Sequence, residues 1–177
     1  MDPSARVAPR RGPAGVSWSL HRIDDRLIHG QVVVAWGSRL RPQRIWVVDD
    51  ASASSDWERR LLEDATPDIQ VRVLTVAQAA AEHAAEAQAH GGALLLVRDL
   101  PTALALVEAG AAVDRFNVGG LHYAPGKDKV NEYVYLDATD REAARRLAAR
   151  GVRLEVQDVP ASRPQPLGVL DPSTVPA

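Results

Sequence analysis

Short runs of β-branched and apolar residues alternate along this chain with longer stretches rich in Ala, Leu, Glu and Arg, and that rhythm constrains the fold more than any other feature. A strand, a helical stretch and another strand form the unit from which parallel sheets are built, with helices covering both faces. The expectation is an α/β fold with three α/β/α layers. Its central sheet is mainly parallel, of six or seven strands, with room for one antiparallel edge strand. Strand patterns fall at 16–22, 44–48, 70–74, 93–97, 115–118, 132–136 and 153–156, and helical patterns at 30–40, 55–65, 76–90, 101–109 and 140–150. The segment 31–36 is apolar nearly all round and rich in valine, so periodicity fits either a buried helix or a strand. Helix is preferred because 45–48 makes the better second strand. The last helix has the clearest ends, with Thr139 as N-cap, Glu142 three residues on, and Gly151 as the stop; it reads as a surface helix.

A chain of 177 residues with 46% hydrophobic content can bury one substantial core, and one domain is expected. Three prolines before Gly15 and five from Pro160 onward take eight of the twelve in the chain. The reading is therefore a flexible lead over 1–15, a folded domain over 16–159 and a Pro-rich tail over 160–177 that resists regular structure. A net charge of -2 gives no general attraction to nucleic acid or to an anionic membrane. The absence of cysteine excludes disulfides, thiolate metal sites and cysteine nucleophiles. Uninterrupted apolar runs such as 32–36 and 93–97 reach five residues, against the roughly 20 needed to span a bilayer. A soluble protein is expected.

In open parallel sheets ligands bind beyond the carboxyl ends of the strands. The loop after the first strand reads Arg22-Ile23-Asp24-Asp25-Arg26-Leu27-Ile28-His29-Gly30-Gln31-Val32, which packs two acids, two arginines and a histidine against a helix start. A neutral imidazole can attack through one ring nitrogen while the other donates its proton to a carboxylate. Asp24 and Asp25 both qualify as that acceptor. A phosphoryl group on the ring would lie near backbone N–H groups at the positive end of the helix that Gly30 opens, where anions are favoured. Arg26 offers a planar fork for two phosphoryl oxygens, a task for which lysine, a point charge, is a poor substitute. An ordinary capping histidine and a surface ion pair would produce the same string, so composition alone does not decide.

The string R-I-D-D-R-L-I-H-G-Q-V closely resembles the active-site signature of the mannose, fructose and sorbose family of enzyme IIB proteins of the sugar phosphotransferase system. The similarity continues through Arg44-Ile45-Trp46-Val47-Val48-Asp49-Asp50 and Leu94-Leu95-Leu96-Val97 to Asn117-Val118-Gly119-Gly120-Leu121-His122-Tyr123 with Gly126-Lys127. The first and last of these segments are the specific ones. The resemblance implies that His29 is a phosphohistidine carrier, phosphorylated at Nδ1 with help from Arg26. It would take its phosphoryl group from a phosphorylated enzyme IIA and pass it to a sugar entering through membrane IIC and IID components. That implies a cytoplasmic protein at the membrane transporter, needing no cofactor and no metal, compatible with a homodimer. A regulatory IIB-like phosphoprotein uncoupled from sugar transport is the alternative.

The catalytic set expected from this reading is His29, Arg26, Asp25 and Asp24, with Gly30, Gln31, Asn117, Gly119 and Gly120 lining the phosphoryl pocket. The resemblance places one carrier histidine in the domain, so His122 reads as a pocket or structural residue. His21 falls in the first strand, while His83 and His90 lie on a polar helix and read as exposed. Lys127 reads as a solvated loop lysine. Asp49 stands where the family more often has asparagine, and its charge is expected to weaken phosphate binding unless Arg98 offsets it.

Overall fold

The computed structural model describes residues 18–176. A seven-stranded sheet runs in the order β3-β2-β4-β1-β5-β8-β9. Its strands are β1 (Trp18–Asp24), β2 (Arg44–Val48), β3 (Gln70–Leu74), β4 (Ala93–Val97), β5 (Arg115–Gly120), β8 (Arg153–Val156) and β9 (Gln165–Pro166). All neighbours pair parallel except β8 with β9. The inner strands are apolar on both sides because both faces are covered. Ile45, Val47, Leu94 and Leu96 point to one face and Trp46, Val48, Leu95 and Val97 to the other. The first face packs under a π-helical turn (Gln31–Trp36) that runs on into α1 (Gly37–Leu40), together with α2 (Asp50–Ser54) and α3 (Asp56–Glu63). The second packs under α4 (Val76–Glu86), α5 (Leu100–Glu108) and α6 (Ala138–Ala149).

This is the three-layer architecture expected, with corrections in particular elements. The stretch 132–136 is not a strand of the main sheet. Only β7 (Tyr135–Leu136) forms there, antiparallel to β6 (Asp128–Lys129) in a separate two-stranded sheet. The antiparallel edge comes instead from the Pro-rich segment expected to resist regular structure, which carries β9, α7 (Leu167–Leu170) and a 3-10 turn (Pro172–Thr174). Proline is tolerated at a sheet edge, and buried Leu167, buried Thr174 and the Arg141–Asp171 ion pair at 2.8 Å tie the segment down. The expected lead over 1–15 lies outside the described residues. Helix α6 begins one cap earlier than expected: Asp137 and Asp140 form a reciprocal capping box, so Thr139 is inside the helix. That helix is not purely a surface element, since Ala143, Ala144 and Leu147 are buried.

His83 is also buried rather than exposed, at 2%. Its ring stacks on Trp18, and its Nε2 lies 3.0 Å from His21 Nε2, so one ring donates and the other accepts. Burial first, then the neighbouring His83, push His21 down to about 3, with Asp114 opposing and Arg115 adding. The folded state thus prefers a neutral ring that the unfolded chain protonates near 6.5. Stability is complete above that value and falls as pH drops toward 3, by up to about 1.4 kcal/mol per pH unit. Urea midpoints at pH 7.5 and 5 check this; a midpoint that stays put removes the pair as an acid-sensitive element.

Candidate active site

Chain leaving β1 turns toward β2 on one side, and chain leaving β5 turns toward β8 on the other. The carboxyl ends of β1 and β5 therefore flank a topological switch point, where a crevice opens. Strand β1 runs two residues further than expected, and Asp24 ends it opposite Gly120. The chain then reverses through Leu27, at φ 55 in the left-handed region, with its N–H bonded to Asp24 O at 3.0 Å. That conformation costs a leucine roughly 1–2 kcal/mol, offset by burial of its side chain in the first face of the core. The reversal brings His29 back over Asp24.

His29 Nε2 lies 3.0 Å from Asp24 Oδ2. The Asp24 carboxyl is fully buried, and the same oxygen accepts from Arg22 Nη2 at 2.8 Å, itself fully buried. Arg22 is held further by Asn117 Oδ1 and by Gln157 O, and its guanidinium lies over the Trp36 ring. Burial works to raise the Asp24 carboxyl, but Arg22, His29 and Arg26 together outweigh it and keep the group below the usual carboxylate range. Asp24 is an anion at neutral pH, so the Nε2 facing it carries the proton. Burial lowers His29 and Asp24 opposes it, but with Arg26 and Arg22 adding to the lowering the ring stays below its ordinary value. The ring is neutral at pH 7, and Nδ1 holds a lone pair that accepts from the Gln31 N–H at 3.3 Å. With its side chain 15% exposed, His29 is reachable from solvent.

The remaining expected residues separate into distinct positions. Arg26 donates through N and Nε to Asp24 Oδ1, both at 3.2 Å, and through Nη2 to Gln31 Oε1 at 2.9 Å. Arg26 and Gln31 therefore join Asp24 and His29 in one cluster. Gly120 borders it: a Cβ there would lie 3.2 to 3.3 Å from His122, Arg26 and Asp24. Gly30 sits at the exposed N-cap of the π turn, and a Cβ there would meet nothing. Asn117 and Gly119 support the site from below instead of lining it. Asn117 is buried against Arg22 and Gln157. Gly119 falls at a shift in the β1–β5 register, and a Cβ there would sit 1.8 Å from Arg22 Cζ. Gly119→Ala must expel a buried guanidinium from its carboxylate, an effect of about 3 to 5 kcal/mol. Chemical denaturation measures it; a change below about 1 kcal/mol would mean that Arg22 relocates freely.

Asp25 does not reach His29; its carboxylate accepts from His122 N–H and from His122 Nδ1, each at 2.7 Å. Of the two expected acceptors, Asp24 is the one in place. Asp49 is likewise engaged: it caps α2 through Ser52 N and Oγ and accepts from Arg98 Nε and Nη2 at 3.3 and 3.4 Å. The added acid is thus neutralised locally, and Arg98, which also donates to Asp25 O at 3.2 Å, is not merely solvated. Lys127 is no free loop lysine either, since it pairs with Asp140 at 2.8 Å. Arg22 is the functional residue that the residue pattern failed to single out. An arginine in the first strand, between His21 and Ile23, was the available signal, because a charged group in a strand covered on both faces must find a buried partner.

This constellation can be set beside known proteins. The family model described as "PTS system sorbose subfamily IIB component" matches residues 18–170. The chain belongs to the sorbose subfamily of phosphotransferase-system IIB components. The IIB chain is 34% identical over 154 residues to the sorbose-specific EIIB component of Klebsiella pneumoniae, covering 86% of the chain and 93% of that protein. It is 38% identical over 141 residues to the mannose-specific EIIAB component of Escherichia coli K12, covering 79% of the chain. It spans 44% of that relative's length. The crystal structure of the IIBSor domain of the Klebsiella pneumoniae sorbose permease matches with a TM-score of 0.77 at 32% identity, covering 88% of the IIB chain and 94% of the domain. The N-acetylgalactosamine-specific IIB component 1 of Escherichia coli matches with a TM-score of 0.76 at 33% identity, covering 84% and 97%. Among the described residues of the IIB chain no helix is long and apolar enough to cross a membrane.

Proposed function

We propose that His29 is the phosphoryl carrier of a mannose- or sorbose-type sugar phosphotransferase system. The observation that carries this reading is the 3.0 Å contact from Asp24 Oδ2 to His29 Nε2, which leaves the Nδ1 lone pair as the nucleophile. In the first step that lone pair attacks the phosphorus held on a histidine of a IIA protein. The new P–N bond forms as the old one breaks, and the electron pair returns to the IIA imidazole. In the second step a sugar hydroxyl displaces His29 from phosphorus at the membrane IIC and IID components, and the hydroxyl proton is released. Arg26 lies beside His29 on the exposed rim and can stabilise charge spread over the transferring oxygens. The Gln31 N–H, now on Nδ1, becomes a donor to a phosphoryl oxygen once that nitrogen is occupied. Burial of Asp24 against Arg22 keeps the tautomer fixed without adding net negative charge beneath the phosphoryl group.

The test is incubation with phosphoenolpyruvate, the general phosphotransferase proteins and a IIA partner, followed by assay for acid-labile, base-stable phosphate on the IIB chain. Stoichiometric label at one histidine is expected. Failure to label with every competent IIA overturns the carrier role.

A further inference from the structure

The second dyad, His122 with Asp25, has no part in the transfer step just described, although it borders the same crevice. We propose that His122 is a positioning residue that removes Asp25 from the phosphoryl site, so that Asp24 alone orients His29. Asp24 and Asp25 are consecutive, and both leave β1 beside the crevice. His122 takes the Asp25 carboxylate with two donors at once, its backbone N–H and its ring Nδ1, each at 2.7 Å. A carboxylate gripped at both oxygens cannot also turn to Arg26, which is left to Asp24 and Gln31. The groups stand close enough to interact. His122 Cε1, Arg26 Nη2 and Asp24 Oδ1 all lie within 3.3 Å of the point where a Gly120 Cβ would be. The other charge near Asp25, Arg98, donates to its backbone oxygen and is itself engaged by Asp49.

A released Asp25 would act in two ways against an incoming phosphoryl dianion. It would compete for the Arg26 fork, and it would place a second, poorly compensated negative charge at the crevice. The function of His122 therefore rests on the carrier reading but is separable from it. Its side chain is 46% exposed on a loop, so replacement does not disturb the core.

The experiment compares His122→Ala, His122→Asn and the double variant His122→Ala/Asp25→Asn. Phosphoryl acceptance from phosphorylated IIA is expected to fall roughly tenfold in His122→Ala, in kcat more than in KM. His122→Asn, whose amide N–H replaces the Nδ1–H, stays near the parent rate. Removing the Asp25 charge in the double variant restores most of the loss, which a merely structural role for His122 would not produce. A second readout needs no phosphoryl donor: the 15N titration of the His29 ring, whose midpoint rises in His122→Ala and returns in the double variant. An unlabelled parent chain overturns the carrier reading alone. An unmoved His29 midpoint in His122→Ala, or a double variant as slow as the single, overturns the role of His122.

Discussion

Replacing His29 with alanine is expected to leave no detectable phosphoryl label while the fold persists. The side chain lies at the rim, and its one side-chain partner, Asp24, remains held by Arg22 and Arg26 when the imidazole is gone. The stability cost is that of one hydrogen bond to a charged group, about 1.5 to 3 kcal/mol. The chemical cost is total because no other ring can substitute. His21, in the middle of β1, and His83, on α4, occupy each other's Nε2, and His90 precedes β4, at the opposite end of the parallel strands from the crevice. His122 has its Nδ1 committed to Asp25. Circular dichroism at working temperature confirms the fold, and phosphate assay reads the label. Label at the parent level on folded His29→Ala would move the carrier to a different residue.

Asp24→Asn should be nearly as damaging, for a reason that geometry makes specific. In the native chain Oδ2 faces three donors, Arg22 Nη2, His29 Nε2 and, at 3.4 Å, Arg26 Nη2, while Oδ1 faces the N and Nε of Arg26. An amide has one oxygen and one NH2, so either orientation points a donor at donors. If the NH2 faces His29, Nε2 must accept, the proton moves to Nδ1, and the nucleophilic lone pair is lost. If it faces Arg26, the fork is displaced from the crevice. A wrong tautomer of this kind is worth about 10³- to 10⁴-fold in turnover. Leaving Arg22 buried without its counter-charge costs a further 3 to 5 kcal/mol or so in stability. Single-turnover transfer measured at low temperature, where the variant is folded, separates the two effects. A transfer rate within tenfold of the parent would show that Asp24 does not set the His29 tautomer.

The fold is largely legible in the sequence, because its signal is local. Five-residue runs such as Arg44–Val48 and Ala93–Val97 are apolar at every step, and a strand buried on both faces leaves that trace in the sequence. The failures occurred where local pattern and tertiary contact disagree. Prolines in 160–177 spoke against structure, yet burial of Leu167 and pairing of Asp171 with Arg141 ordered the segment. His83 sits in an alanine-rich helix of polar character, and only the approach of Trp18 and His21 from β1 makes it interior. Thr139 and Asp137 are both good caps, and the reciprocal bond to Asp140 selected the second.

For the candidate site, sequence alone determined which residues could take part: an imidazole, two acids and an arginine within six positions, followed by a helix start. It was also enough, by resemblance, to indicate the family. What it left open was the pairing. Side-chain chemistry cannot distinguish Asp24 from Asp25, which differ by one step along the chain and point to opposite sides of an extended strand end. The choice was made by neighbouring Arg22 and by two groups more than 90 residues away, Asn117 and His122. Arg22 with Asn117 draws Asp24 under His29, while His122 draws Asp25 off. Gly119 and Gly120, which read alike in sequence, are separated the same way, the first making room for Arg22 and the second bordering the crevice. Such contacts depend on β1 lying beside β5, a neighbour relation fixed only when the whole sheet closes.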